Sequence, residues 1–367
     1  MSHHPPHTHE LPSIPGAVIL DPVTDPRWNT FVEGHPFGLI CHHSRWKQVL
    51  EESFPHMKGY YLALLGHDND SIRAALPVFE VKSILTGKRL ASIPFATHCD
   101  PLISSSEDMR ALLDSAIALS AKLGISRIEL KVSASAPRIH DDRMGIMVSH
   151  KSHELSLEAG PEELMKTFSK QVKRKIKLFQ STGFALRNAE KDADIEEFYR
   201  LYVKTRKRLG LPPQPYVFFH SLWEKFSYSN NISILLARYK GQLIAGLIML
   251  KFKDRCSWEY LASNAGFQHL HTNYFILWEA IKVAHAEGYR IFDFGRTGIS
   301  NEGLMTFKGL WGTTLVDLPE LYYPKKAFSM VSYHEGSVPY KIVREINKKL
   351  PDPLFKYIGN FVYRHLG

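Results

Sequence analysis

Two residues in the second half of the chain have side chains suited to a reaction centre. Asp293 lies in a short apolar run, Arg290 to Phe294, beside Gly295, where the chain can turn tightly or let a ligand approach the backbone. Its carboxylate can orient a substrate hydroxyl or amine or take its proton. Alternatively, it has a purely architectural role and pairs with Arg296 or caps the next turn. Lys308 follows an apolar run resembling a strand; its ammonium can polarise a carbonyl or neutralise a phosphate, unless it is a surface lysine with a buried stem.

Further candidates lie on extended segments. Glu259 and Tyr260 fall in a predicted strand, Arg255 to Ser263, where alternation sends neighbours to opposite faces, so only one can line a cleft. Glu259 is a candidate general base or, alternatively, a solvent-facing glutamate. In the first half, His98 and Asp100 are the best polar candidates for binding a substrate. Because they are two residues apart, they can equally be bonded to each other with no catalytic role.

Cations form a third group of candidates. The planar guanidinium of Arg296 suits a phosphate or carboxylate. A helix opened by Gly160-Pro161 is unusually basic, and its apolar spacing leaves several cations exposed. Those singled out are Lys173, Arg174 and Lys177. With the cluster at 204–208 they can form an electropositive wall for tRNA, a nucleotide-linked or lipid-linked sugar, or a membrane, or they can be solvated helix faces.

A repeated unit must position these residues. The stretch 116–124 resembles 280–288; each is an amphipathic helix stopped by glycine and followed by a short strand. A candidate hairpin precedes each helix. The hairpin strands are 60–65 with 72–79, and 232–239 with 243–252. The order strand, strand, helix, strand therefore occurs twice.

The second copy is the more complete. It is predicted to contain a strand at 184–187, helices at 192–209 and 216–226, the hairpin, the strand containing Glu259, a helix from Thr272 or Asn273, the Arg290 strand and strands near 313–323. Antiparallel hairpins with one crossover imply a mixed α/β (α+β) sheet with helices on both faces. The predicted divisions are a disordered tail at 1–15, lobes at 16–159 and 160–325, and a helical tail at 326–367.

Several short sequence segments together resemble a known family. They are Lys170 to Lys177, Asn273 to Gly288, Phe292 to Gly295 and Gly303 to Gly312, with Ala74 to Val78, Ile93 to Phe95 and Cys99 to Leu102 in the first lobe. In order and spacing they resemble the Fem-like (FemAB-related) branch of the GNAT acyltransferase superfamily. Within that branch the chain is most similar to acyltransferase-like proteins associated with bacterial exopolysaccharide and cell-envelope gene clusters. The resemblance covers about residues 30 to 325.

The resemblance implies two tandem GNAT-like lobes, each a mixed, largely antiparallel sheet flanked by helices, with a deep cleft. It also implies direct acyl transfer to an amine or hydroxyl, without a covalent enzyme intermediate. Lys308 resembles the lysine that Fem relatives direct toward the transferred group. The second lobe is then expected to transfer, and the first to support or hold the acceptor.

The acyl donor stays open between acyl-CoA and aminoacyl-tRNA. GNAT enzymes place a glycine-rich turn before the main helix, where backbone N–H groups meet the pyrophosphate. The corresponding segment here, Gln268 to Asn273, contains no glycine, which disfavours conventional CoA binding. The other functions considered are a non-catalytic adaptor that binds saccharide or RNA, and aminoacyl-tRNA-dependent transfer to peptide or protein amines.

Composition limits the partners and the compartment. The chain has 46 Lys+Arg against 37 Asp+Glu, a formal charge of +9 that favours an anionic partner. We find neither a signal-peptide pattern nor an apolar run of the roughly 18 residues that a membrane span requires. We therefore expect a cytoplasmic protein, possibly peripheral at the inner face of the membrane; its oligomeric state stays open.

Cysteines and histidines suggest no metal centre. Cys41, Cys99 and Cys256 are far apart in sequence and are interpreted as reduced structural thiols. Histidines in the N-terminal tail can bind metal, but an overhang explains them more simply. They are His3, His4, His7 and His9. At the C-terminus an apolar stripe is predicted to pack on the second lobe or to contact an anionic membrane. Its residues are Leu354, Phe355, Ile358, Phe361, Val362 and Leu366, punctuated by Lys356, Arg364 and His365.

Overall fold

The computed structural model describes residues 14–68, 70–84, 87–180, 183–326 and 338–365. The tail histidines His3, His4, His7 and His9 and the stripe residue Leu366 lie outside these ranges. Ile14 and Pro15, at the end of the tail predicted to be disordered, are packed against the first lobe; the Pro15 carbonyl accepts a hydrogen bond from Ser115 Oγ at 2.9 Å.

The described strands and helices follow the duplicated order. The strands are β1 (Val18–Leu20), β2 (Lys58–Leu65), β3 (Ile72–Ser83), β4 (Gly87–Ala91), β5 (Ile128–Lys131), β6 (Gly145–Ser156), β7 (Ala185–Asn188), β8 (Ile232–Tyr239), β9 (Gln242–Phe252), β10 (Arg255–Ser263), β11 (Ile291–Gly298) and β12 (Thr314–Tyr323). The helices are α1 (Arg27–Gly34), α2 (Ser44–Ser53), α3 (Ser106–Lys122), α4 (Pro161–Thr167), α5 (Lys170–Gln180), α6 (Asp192–Leu209), α7 (Tyr216–Phe226), α8 (Thr272–Ala286), α9 (Glu302–Gly309), α10 (Val338–Lys349) and α11 (Asp352–Tyr363).

The described strands form one twelve-stranded sheet in the order β1-β2-β3-β4-β5-β12-β6-β11-β10-β9-β8-β7. The two halves mirror each other: β4–β5 and β10–β11 are the parallel pairs, crossed over by α3 and α8 respectively. The mixed α/β fold with two tandem lobes is confirmed.

The junction of the two lobes was not predicted. Strand β6 follows the first lobe but pairs with β11, and β12 follows the second lobe but pairs with β5. The two strands also pair with each other from Thr314↔Glu154 to Tyr322↔Gly145. Each lobe therefore contributes its last strand to the other, and the sheet is continuous through the centre of the protein.

One face of the sheet, called here the inner face, is covered by helices of both lobes. Helices α1, α2, α6, α7 and α11 share a single core there, with Trp28, Phe54, Phe198, Phe219 and Phe355 among its members. The opposite, outer face carries α3 under the first lobe and α4, α5 and α8 under the second. The lobes thus meet both through the sheet and through one shared apolar core.

Two local predictions were wrong. The basic segment after Gly160 is two helices, α4 and α5, because Phe168 adopts an extended conformation (φ −66°, ψ 151°) and its ring packs 5.2 Å from Trp311. The run before Lys308 is helix α9 and not a strand; the Asn301 side chain accepts the Leu304 N–H and begins it.

Candidate active site

A β-bulge in β10 brings Glu259 to the inner face. Trp258 pairs with Met249 and Tyr260 with Ile248, so Glu259 is an extra residue without a partner on β9. Tyr260 packs against the inner-face core, 4.9 Å from the Phe219 ring, while Glu259 lines the neighbouring cavity. The strict alternation assumed from sequence was therefore wrong, as was the solvent-facing interpretation of Glu259.

The cavity lies between the lobes and has a volume of about 490 Å³, including its open mouth. Its first-lobe wall includes Cys41, Trp46 and His98, and its second-lobe wall includes Arg255, Glu259 and Asp293. Acid and base groups of the second lobe thus face polar and aromatic groups of the first across one open cavity.

The pKa of the Glu259 carboxyl group lies close to neutral pH. Burial, together with repulsion from Asp293, raises the pKa of Glu259 to about 7, and the ammonium of Lys308 partly opposes this shift. A carboxylate that titrates near 7 is suited to take a proton from an amine or hydroxyl and to release it again.

Asp293 is held by three hydrogen-bond donors. Its Oδ1 accepts Ser152 Oγ and the backbone N–H of Gly295, both at 2.7 Å. Its Oδ2 accepts Arg255 Nη1 at 3.1 Å, so the ion-pair partner is Arg255 and not Arg296 as considered from sequence. With three donors on its two oxygens, Asp293 can hold its neighbours in position and contribute negative charge.

Lys308 is only 3% exposed, which excludes the surface-lysine interpretation. Its Nζ donates to the carbonyls of Gly295 and Arg296 at 2.7 and 3.2 Å and lies 5.3 Å from the centre of the Trp258 ring. These carbonyls lie at a second irregularity, because the β11–β6 register shifts between Asp293 and Arg296 and Gly295 has a φ of +73°.

The Lys308 ammonium therefore lies at the point where strands β10 and β11 diverge, which we call the gap. The described pairing between these strands ends at Ser257↔Asp293. Burial lowers the pKa of Lys308 to about 8, against the opposing attraction of Asp293 and Glu259. A lysine still largely protonated at neutral pH supplies positive charge at the gap.

Arg296 is a further charged side chain of β11, and it contacts β6 and β12 at the junction of the two lobes. Its Nη2 lies 2.9 Å from His150 Nε2 and 3.3 Å from Glu320 Oε1. Lys131 on β5 faces the same charges, and burial, together with Arg296, lowers its pKa to about 8. Sequence reasoning missed His150 and Glu320, and it did not place Lys131 near Arg296, because this proximity depends on the pairing of β6 and β12, for which no local signal exists.

His98 and Asp100 have different roles. His98 lines the cavity, and its Nδ1 is buried without a hydrogen-bond partner in the described part of the chain. Asp100 Oδ1 instead accepts the backbone N–H groups of Ser133 and Ser135, both at 2.8 Å. The two side chains are 4.0 Å apart, beyond hydrogen-bond distance. His98 therefore belongs to the wall of the cavity, whereas Asp100 fixes the loop after β5.

The structure brings together two cysteines that are distant in sequence. The side-chain ligand atoms of Cys41, His42 and Cys99, all buried, lie within 4.8 Å of one another. His42 Nδ1 accepts the N–H of Leu39 at 3.0 Å, so the proton of the neutral ring is on Nε2, 2.8 Å from the Asp100 carbonyl oxygen. In this tautomer His42 offers no lone pair to an ion, and the group is a hydrogen-bonded cluster.

The basic helix α5 flanks the N-terminus of α8 on the outer face. Lys175 Nζ donates to Tyr274 Oη at 3.1 Å, and burial, Lys175 and Arg174 lower the pKa of His271. Asn273 Oδ1 is buried without a partner among the described residues. Arg174 and Lys177 are exposed, and Lys173 Nζ bonds the Lys166 carbonyl at 2.7 Å. Exposed cations and the α8 N-terminus thus occupy one side of the gap.

The two basic clusters do not form one wall. The cluster at 204–208 lies at the end of α6, where Lys207 pairs with Asp352 of α11 at 2.5 Å. Helix α6 packs on the inner face and α5 on the outer face, so the sheet separates them. The predicted continuous electropositive surface was wrong, and α5 alone flanks the gap on the outer face.

Residues 166–308 match the family model described as an acetyltransferase (GNAT) domain. This match identifies a GNAT domain in the second lobe, running from α4 to Lys308 on α9, as the resemblance noted from sequence implied.

Solved structures with this fold include FemX, at 14% identity, a TM-score of 0.66, and coverage of 84% of this chain and 98% of that one. L-PGS from Bacillus licheniformis matches at 13% identity and a TM-score of 0.54, covering 88% and 96%. A tandem GNAT protein from the clavulanic acid biosynthesis pathway matches at 12% identity and 0.53, covering 83% and 97%. No curated protein sequence matches the chain.

Proposed function

We propose that the protein transfers an acyl or aminoacyl group directly to an amine or hydroxyl of a cell-envelope or exopolysaccharide precursor. The observation that carries this proposal is the cavity at the bulge of β10, where Glu259, with a pKa of about 7, lies near Asp293 and Lys308. A base that lines the cavity and a buried cation close to it are what addition of a neutral nucleophile to a carbonyl requires.

Each residue has a step in this proposal. An anionic donor binds on the outer face at the N-terminus of α8, beside α5, and its carbonyl enters the gap between β10 and β11. The acceptor lies in the cavity between His98 and Glu259, and Glu259 takes its proton as the new bond forms. Lys308 stabilises the oxyanion, while Asp293 holds Arg255 and the Gly295 turn in position. Glu259 then returns the proton to the leaving group.

Transfer assays test this proposal directly. Purified protein is incubated with a panel of acyl-CoA and aminoacyl-tRNA donors and with nucleotide-linked and lipid-linked amino sugars, and product is followed by mass spectrometry. Transfer that requires Glu259 supports the proposal. Tight binding of a saccharide or RNA with no transfer from any donor would instead favour a non-catalytic adaptor.

The donor can be distinguished by thermal stability. Because His271 in the αL conformation (φ 57°) stands before α8 in place of a glycine-rich turn, we expect CoA to leave the melting temperature unchanged. A ligand at 100 times its Kd would stabilise the fold by about 2.7 kcal/mol, which is readily measured. A clear rise with CoA would identify acyl-CoA as the donor class.

Charge reversal on α5 should weaken donor binding. In the variant Lys173→Glu with Arg174→Glu, affinity for the anionic donor is expected to fall on the order of tenfold at low salt, and less at high salt. Filter binding or fluorescence anisotropy measures the change. The control is Lys191→Glu with Lys240→Glu, an equal charge change at exposed lysines outside α5. Equal losses in both variants would leave only a net-charge effect.

A further inference from the structure

The last helix presents an apolar stripe to solvent. On α11, Phe355 and Tyr363 are buried against the inner-face core. Leu354, Tyr357 and Phe361 are 45%, 69% and 38% exposed. Their spacing of three and four residues places these three side chains on one side of the helix, away from the core.

Helix α10 has the same two-sided character. Its inner side is fixed to the end of α6, where Asn347 Nδ2 donates to the Gly210 carbonyl at 3.0 Å and Arg344 Nε donates to the Leu209 carbonyl at 2.9 Å. Other apolar side chains of α10 are about half exposed. They are Ile342, Val343 and Ile346, and we define the C-terminal apolar face as the α11 residues Leu354, Tyr357 and Phe361.

Cations border this face. Residues 342–365 contain five Lys or Arg against two acids. Of the acids, Glu345 is paired with Lys348 at 2.5 Å and Asp352 with Lys207 at 2.5 Å. The exposed cations are Lys348, Lys349, Lys356 and Arg364, with Lys204 nearby on α6. The border therefore carries excess positive charge.

We propose that the C-terminal apolar face docks on the surface of an anionic lipid bilayer. Half-exposed apolar side chains on a short amphipathic helix, bordered by Lys and Arg, match the interface between acyl chains and anionic headgroups. A second copy of the chain would place like charges against each other. In the proposed docking, α11 lies along the surface of the bilayer. No helix within the described ranges is long and apolar enough to cross one.

Docking on this side would place the cavity close to lipid. The Tyr363 ring, on the buried side of α11, lies 5.5 Å from the Phe95 ring, and the next residue, Ala96, lines the cavity. One helix thus separates the proposed membrane surface from the wall of the acceptor site. The docking itself does not depend on the transfer chemistry.

Vesicle flotation tests the proposal with the full chain. Wild-type protein should float with phosphatidylcholine–phosphatidylglycerol vesicles and much less with phosphatidylcholine alone. The triple variant Leu354→Ser, Tyr357→Ser, Phe361→Ser should lower the partition coefficient about tenfold or more. Lys348→Glu with Lys349→Glu should lower it mainly at low salt.

The control is Ile84→Ser with Tyr228→Ser, which removes two exposed apolar side chains that lie outside this face and are 80% and 92% exposed. It should bind vesicles like wild type. Circular dichroism checks that each variant is folded. Absence of wild-type flotation with anionic vesicles overturns the proposal, as does equal loss in the control. A dimer in light scattering that only the triple variant dissociates, without vesicle binding, would assign the face to a second copy.

Discussion

Replacing Glu259 with Gln is expected to lower the rate of transfer by about 10²- to 10⁴-fold, the usual contribution of a general base. The amide keeps the size of the side chain and the bulge of β10 but cannot take a proton. Initial rates of product formation, measured with the donor and acceptor that the transfer assay identifies, give kcat and kcat/KM for both proteins.

The pH profile makes this prediction specific. Glu259 must be deprotonated and Lys308 protonated, so wild-type kcat/KM should rise through a pKa of about 7 and fall through one of about 8, both belonging to the coupled pair. The rising limb should vanish in Glu259→Gln. Glu80→Gln, at a buried glutamate on β3, is the matched control. Wild-type activity in Glu259→Gln would remove Glu259 from the mechanism.

Replacing Lys308 with Met should have a comparable effect by a different cause. Loss of the ammonium at the gap is expected to lower kcat by about 10²- to 10³-fold, as when an oxyanion-stabilising donor is removed. The carbonyls of Gly295 and Arg296 would also lose their donor, destabilising the fold by about 1–3 kcal/mol.

A shift of the pH profile separates an electrostatic role from a merely structural one. Because the charge of Lys308 lowers the pKa of Glu259, its removal should move the residual rising limb to higher pH. Lys251→Met is the matched control, since Lys251 is 1% exposed and pairs with Glu287 at 2.9 Å, outside the residues that line the cavity. That variant should lose stability but retain kcat per folded molecule. An unshifted profile with normal kcat in Lys308→Met would make Lys308 purely architectural.

Local signals predicted much of the fold. The bounds of α6, α7, β8 and β10 match those inferred from sequence, because amphipathic spacing and turn residues act over a few positions. The prediction of a strand before Lys308 was wrong because the apolar run there fits either a strand or a helix. The N-cap at Asn301 begins a helix. Pairing partners are a long-range property, so the role of β6 had no local signal.

The candidate site was predictable in composition but not in geometry. Asp293, Lys308 and Glu259 stand out by type and position, and the structure brings them near one cavity. Their orientation depends on two bulges, at Glu259 and around Gly295, and a bulge reverses the side-chain alternation on which a sequence argument relies. Arg255, the partner of Asp293, was missed because it lies 38 residues away on the neighbouring strand.

The crossing of β6 and β12 constrains how substrates can enter. Each lobe gives its final strand to the other, so a single polypeptide reproduces the arrangement of a domain-swapped dimer of two single-lobe units. Opening such a protein at a hinge between the lobes would break the central hydrogen-bond ladder. We therefore expect passage into and out of the cavity to involve loops and helices at its rim.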